Sequence, residues 1–299
     1  MDLPEDKSTL TRQGMLDELS FLISPPWWRQ AVGSALVFAP ACLLPATCLS
    51  AANIVLLVGL DHLTSHLSVL TPEALGSAVL IALGCAVAGL VLSLIALGSW
   101  LTRLTAWARA CLRYSQPPSQ AQIDQALADI AAKKGYLAKL WLIASVFLLL
   151  PVAPLAILIA LHILSTPQLF GREIIVLSLP HWLSMAVSAG AALITVVVVA
   201  YSLVLIVHSS VASSEAGEAA WQALKLFFRR WLVWLAVTVI VIALNVVVSD
   251  PLLLFGVSPF SQQSSGNLAA GIAGQIWLGL SSLVLWPLSV MPFCNLFKK

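Results

Sequence analysis

Charge is what this chain has least of. Lys, Arg, Asp and Glu make up only 9% of its 299 residues, where a soluble domain carries about a quarter. The hydrophobic class reaches 60% and the mean hydropathy is +0.97. Together these values exclude a water-soluble globular fold and leave an integral membrane protein. A net charge of +2 is too small for a general nucleic-acid binder, so no nucleic-acid partner is expected. Catalytic signatures are missing as well. The sequence holds no Gly-rich phosphate loop, HExxH, GxSxG or paired carboxylates at useful spacing. Cys42, Cys48, Cys85, Cys111 and Cys294 show no CxxC spacing and lie in or beside apolar runs, where they read as small buried hydrophobes. The start, MDLPEDKSTLTRQ, is polar and mixed in sign, so signal cleavage is not expected and the first span should remain as an anchor.

What is present is a set of long apolar segments. A helix rises about 1.5 Å per residue, so about 20 apolar residues cross roughly 30 Å of hydrocarbon. Six segments qualify, at about 30–60, 76–101, 140–164, 182–207, 231–248 and 268–291. The first is too long for one straight crossing and carries Pro40 and Pro45, which predicts a kinked helix. The reading is all-α: a six-helix polytopic domain over 30–292, a cytoplasmic segment 1–29 with an amphipathic helix, and a cytoplasmic tail 293–299. Residues 102–139 and 208–230 form the inner loops.

The few cations fall on one side. Lys7, Arg12 and Arg29 precede the first span; Arg103, Arg109, Arg113, Lys133, Lys134 and Lys139 follow the second. Lys225, Arg229 and Arg230 follow the fourth, and Lys298 and Lys299 end the chain. Arg172 alone lies opposite, so the positive-inside rule puts both termini in the cytoplasm of a bacterial inner membrane. Trp27, Trp28, Trp100, Trp107, Trp141, Trp221, Trp231 and Trp234 repeat this asymmetry. Interfacial anchoring is their expected role.

Each odd-numbered span follows a short amphipathic stretch. Leu16, Leu19 and Ile23 form the first stripe. Ile123, Leu127 and Ile130 form the second, behind a capping box of Ser119 and Gln122, and Trp221, Leu224 and Phe228 form the third. This order of parts suits three helical hairpins, each introduced by a helix in the inner interface. Lys133, Lys134, Lys225, Arg229 and Arg230 would then face anionic lipid or a protein partner.

The stretch EAGEAAWQALKLFFRRWLVWLAVTVIVIALN, from Glu215 to Asn245, resembles the recurring element of bacterial six-helix membrane domains, such as those fused to some glycerophosphodiester phosphodiesterases. The likeness implies a short Ala-rich helix entering a basic, tryptophan-marked span. It brings no catalytic residues, and the phosphodiesterase barrel is absent from this chain.

Ionisable residues are missing from all six span cores, which weighs against proton-coupled or ion-driven transport. The polar groups at depth are amides: Asn53, Asn245 and Gln275. Asn245 and Gln275 are expected at similar depth, bonding the fifth helix to the sixth, with a ligand role as the alternative. Gly271, Gln275 and Gly279 share one face, as do Ala270 and Gly274, which invites close helix approach. Gly89 and Gly190 invite the same. His62 and His66 share a helical face at a spacing suited to a divalent metal. Interfacial histidines without a metal are the expected reading, and no cofactor is assigned. The function expected is that of a non-catalytic scaffold, assembly factor or accessory subunit of a membrane complex, with lipids and other membrane subunits as partners. A transporter or flippase of a lipid or hydrophobic small molecule is the alternative.

Overall fold

The computed structural model describes residues 19–67, 72–114, 118–144, 146, 181–212, 215–249 and 268–298. These residues are helical with no strand among them. In chain order the helices are α1 (Pro25–Phe38), α2 (Leu43–Leu67), α3 (Pro72–Arg113), α4 (Gln120–Ala131), α5 (134–144), α6 (His181–Val211), α7 (Ala216–Arg229), α8 (Trp231–Ser249) and α9 (Leu268–Lys298). Among the described residues, five helical stretches are long and apolar enough to cross a membrane: Pro25–Gly59, Gly76–Arg113, Ala192–Val211, Trp231–Val248 and Ile272–Lys298. Most of the span expected at 140–164, and Leu16 of the first amphipathic stripe, lie outside the described residues; Leu19 of that stripe precedes and Ile23 ends a 3-10 turn, Ser20–Ile23. The chain divides into two compact units, 1–133 with 240–299, and 134–239.

In the first unit, α1 and α2 are joined through a 3-10 turn at Ala39–Cys42, where the sequence predicts a kink. Pro25 and Pro26 open α1, at positions whose amide hydrogens would have had no partner in the helix. Pro45 lacks the amide hydrogen that would reach back to the Ala41 carbonyl. Arg103, from α3, fills that vacancy: its Nε donates to Ala41 O, and Nη1 reaches Ser99 Oγ. Read from the sequence as a surface cation, Arg103 is folded against a helix break.

α3 is 42 residues long, about 63 Å at 1.5 Å per residue, roughly twice a hydrocarbon core. Its exposure divides it. From Val79 to Leu97 its large apolar side chains are exposed, Leu80 at 69%, whereas Trp100, Leu104 and Trp107 are buried. The 19 or so residues of the exposed band rise about 28 Å, close to one hydrocarbon thickness. α2 packs along this band. A Cβ on Gly89 would lie 2.6 Å from Leu56 Cγ, so the two helices approach as closely as glycine allows.

The buried end of the unit holds the tryptophans. Trp107 stacks on Phe38 at 4.8 Å, and its Nε1 donates to Pro287 O at 3.0 Å. Trp100 stacks on Trp286 at 5.0 Å. Interfacial anchoring is therefore wrong for Trp100 and Trp107, which are core residues, because a helix extending past the hydrocarbon needs bulky side chains to bind its neighbours. α9 runs on to Lys298 through Pro287 and Pro292, burying Phe293, Cys294 and Leu296. The stretch expected as a tail is packed helix.

α4 folds back on this end. Ser119 N donates to Gln122 Oε1 at 2.8 Å, as the capping box requires. Ile123, Ala126 and Ile130 are buried against α3, and Asp129 receives Arg109 at 3.2 Å and Arg113 at 3.7 Å. Ile123 and Ile130 of the expected stripe are thus covered by protein, while Leu127 is half-buried.

In the second unit, α7 packs on α6. Ala219, Ala220, Ala223 and Phe227 are its buried residues, and Tyr201 of α6 donates from its hydroxyl to Ala220 O at 3.2 Å. Trp234, at the start of α8, is buried and donates back to Leu226 O at 3.3 Å, so it too is a core residue.

Candidate functional site

Two regions bring sequence-selected residues together with neighbours the sequence did not single out. The first is the packed face between α2, α8 and α9. Asn245 Nδ2 donates to Val241 O at 2.7 Å within α8 and to Ser289 Oγ of α9 at 3.1 Å. The cross-helix bond expected between Asn245 and Gln275 is not formed; Ser289 takes that place. Ser289 in turn donates to Leu285 O at 2.6 Å, so the amide joins a short chain of helix-to-helix bonds.

Gln275 contributes through its backbone. Ser50 Oγ of α2 donates to Gln275 O at 3.2 Å, while Gln275 Oε1 is buried without a hydrogen-bond partner among the described residues. Beside this contact, a Cβ on Gly279 would collide with Ser50. Among the described residues nothing lies within 4 Å of a Cβ on Gly190 or Gly274, so the close approach expected there is not made by them. Below Ser50 opens a groove of about 300 Å³ between α2 and α9, lined by Leu43, Ala46, Ile54, Ile276, Leu280 and Leu283. Asn53 lies half-buried on α2 and does not line the groove.

A second cavity, of about 160 Å³, lies at the buried end of the same unit. Gln30 and Ser34 of α1, Tyr114 just after α3, and Met291, Cys294, Asn295 and Lys298 of α9 line it, with Trp27 and Cys111. Lys298 Nζ donates to Tyr114 O at 2.9 Å across its rim. Cys42, Cys111 and Cys294 are buried as expected and Cys48 and Cys85 partly so, but Cys111 and Cys294 also meet at this cavity. Positions 291, 294, 295 and 298 share one helical face. That spacing is visible in the sequence, but nothing in the sequence says which face α1 and α3 complete.

The selected cations separate. Lys133 closes the turn after α4, and Lys134 opens α5 in the other unit. Lys225, Arg229 and Arg230 gather at the C-terminal end of α7, where Lys225 Nζ sits 5.5 Å from the Trp221 ring centroid. The aromatics of the stripe expected to lie in the inner interface are not on the buried face of α7. Trp221 is 50% exposed and Phe228 64%, because the alanines on the adjacent face let α7 pack closer to its neighbours than the rings would allow. His62 and His66 lie near the C-terminal end of α2. Among the described residues no group of three or more His, Cys, Asp and Glu is placed to hold a metal ion.

No family model, curated protein or solved structure matches this chain.

Proposed function

We propose that the chain is a non-catalytic, polytopic inner-membrane protein that serves as a scaffold, assembly factor or accessory subunit of a membrane complex. In this reading six spans cross the membrane, both termini are cytoplasmic, and short interfacial helices line the cytoplasmic side. The observation that carries it is the exposed band of α3. Leu83, Val87, Leu90, Val91 and Leu94 stand exposed at 50% or more on a helix whose buried positions there, Ala78, Gly89 and Ala96, are small. Such a helix offers a broad apolar face to other helices, and its basic end is already clamped by tryptophan packing. The polar groups at depth join helices to one another, as amides do in membrane bundles.

The test is purification from native membranes in mild detergent, followed by protein and lipid mass spectrometry. Stoichiometric membrane partners are expected. A lone monomer recovered without partners, in a detergent that preserves known complexes, sinks the proposal.

The groove between α2 and α9 favours a second reading, transport or scrambling of a lipid. It is almost wholly apolar, touched only by the hydroxyls of Thr47 and Ser50, a lining suited to an acyl chain. Fluorescent-lipid scrambling by the purified protein in liposomes would support it; rates equal to protein-free liposomes would not.

A further inference from the structure

Three stretches have the composition of interfacial helices, and the structure separates two of them. Ile123 and Ile130 of the α4 stripe are buried, whereas Trp221 and Phe228 of the α7 stripe are exposed. At 100° per residue the side chains of α7 fall into three faces. Ala219, Ala220, Ala223 and Phe227 form the buried face. Trp221, Leu224 and Phe228 form a second, about 120° around the helix, and Glu218, Gln222, Lys225 and Arg229 form a third, about 90° further on. A helix lying between protein, acyl chains and headgroups requires three such faces, and a helix between protein and water requires only two.

We propose that α7 is a membrane-surface helix whose Trp221, Leu224 and Phe228 face enters an anionic phospholipid leaflet, with Lys225 and Arg229 set against the lipid phosphates. The assignment rests on the membrane-spanning reading above. α7 is joined to the apolar helix α8 by Arg230 alone. If α8 spans, the C-terminal end of α7 is held at the membrane surface. The exposed apolar surface continues across the junction, with Trp231 at 49% and Leu232 at 54%. Trp221 and Phe228 lie seven residues apart, two turns along the helix, so the aromatic face runs parallel to the axis. Its neighbouring cations complement a negative headgroup layer. The only acid on the polar face, Glu218, lies two turns from Lys225 and accepts from Gln222 at 3.0 Å. Lys225 over the Trp221 ring links the two faces at the depth where an indole prefers to lie.

The experiment uses the full chain with p-benzoylphenylalanine at position 228, irradiated in native membranes, and a control chain carrying the probe at position 239, midway along α8, where Val239 is 53% exposed. A phospholipid adduct on the peptide containing residue 228 is the expected result. A crosslink to protein, or no adduct, at position 228 while position 239 labels lipid overturns the proposal and leaves the spanning reading intact. If position 239 also fails to label lipid and alkaline carbonate strips the chain from membranes, both fall. A second readout avoids the probe. Full-length protein in detergent should retain phosphatidylglycerol over phosphatidylcholine in native mass spectrometry, and Lys225→Gln and Arg229→Gln should each lower that preference about fivefold. Unchanged preference in the double variant rejects the headgroup contact.

Discussion

Proline at position 45 removes the amide hydrogen that an uninterrupted helix would direct at the Ala41 carbonyl, and Arg103 supplies a donor in its place. The pairing predicts a conditional effect. Arg103→Gln should cost about 1–3 kcal/mol, the penalty for a buried carbonyl left without a donor, read as a lower unfolding midpoint in detergent. In a Pro45→Ala background, where the backbone supplies its own hydrogen, the same substitution should cost less than half as much. Equal costs in both backgrounds would show that Arg103 acts elsewhere. Trp107 makes a second cross-helix bond of this kind, from its indole N–H to the Pro287 carbonyl of α9. Trp107→Phe keeps the stacking on Phe38 and removes the bond to Pro287 O. A loss of about 1 kcal/mol is expected in the same melting assay.

Helices α2 and α3 form a hairpin whose spacing is set by small residues. Gly89→Val should cost about 1–3 kcal/mol, because the added methyls meet Leu56 and the Ala52 carbonyl. Gly84→Val, on open surface, should leave the unfolding midpoint within error of wild type; equal effects at both positions would refute the close approach. α4 is held by apolar burial and by ion pairs with Arg109 and Arg113. These pairs are partly exposed, Asp129 at 36%, so their contribution is under about 1 kcal/mol and falls with salt. Asp129→Asn should therefore leave global stability nearly unchanged while hydrogen exchange in residues 120–131 quickens. Exchange at wild-type rates would mean that burial of Ile123, Ala126 and Ile130 alone docks the helix.

Across the whole chain, the proposed topology rests on charge asymmetry. A fluorescent protein fused after Lys299 should fold and fluoresce in bacteria, because it would remain in the cytoplasm, and alkaline phosphatase inserted within residues 165–180 should be active outside it. The reverse pattern of reporters would overturn the orientation. The exposed band of α3 and the aromatic face of α7 make distinct demands at this scale. The first calls for helical partners within the membrane and the second for an anionic surface, so loss of partners and loss of lipid preference should be separable by substitutions on the two helices.

Composition and long apolar runs determined the all-helical class, and five of the six expected spans coincide with described apolar helices, since such runs leave the backbone no alternative to internal hydrogen bonds. The kink near Pro40 and the capping box at Ser119 were equally legible, being local backbone chemistry. What the tertiary structure decided is partnership. Nothing in spacing could say that Asn245 bonds Ser289 and not Gln275, that Arg103 turns toward the Ala41 carbonyl, or that Trp100, Trp107 and Trp234 fill a core while Trp221 stays exposed. In each case the residue type is compatible with several surroundings, and only the packing of helices distant in sequence selects one. The stripe of α7 illustrates the reason. Hydrophobic periodicity reports that a face avoids water, whereas which of two apolar faces meets protein depends on how closely another helix can approach, and on α7 the alanines permit the closer contact.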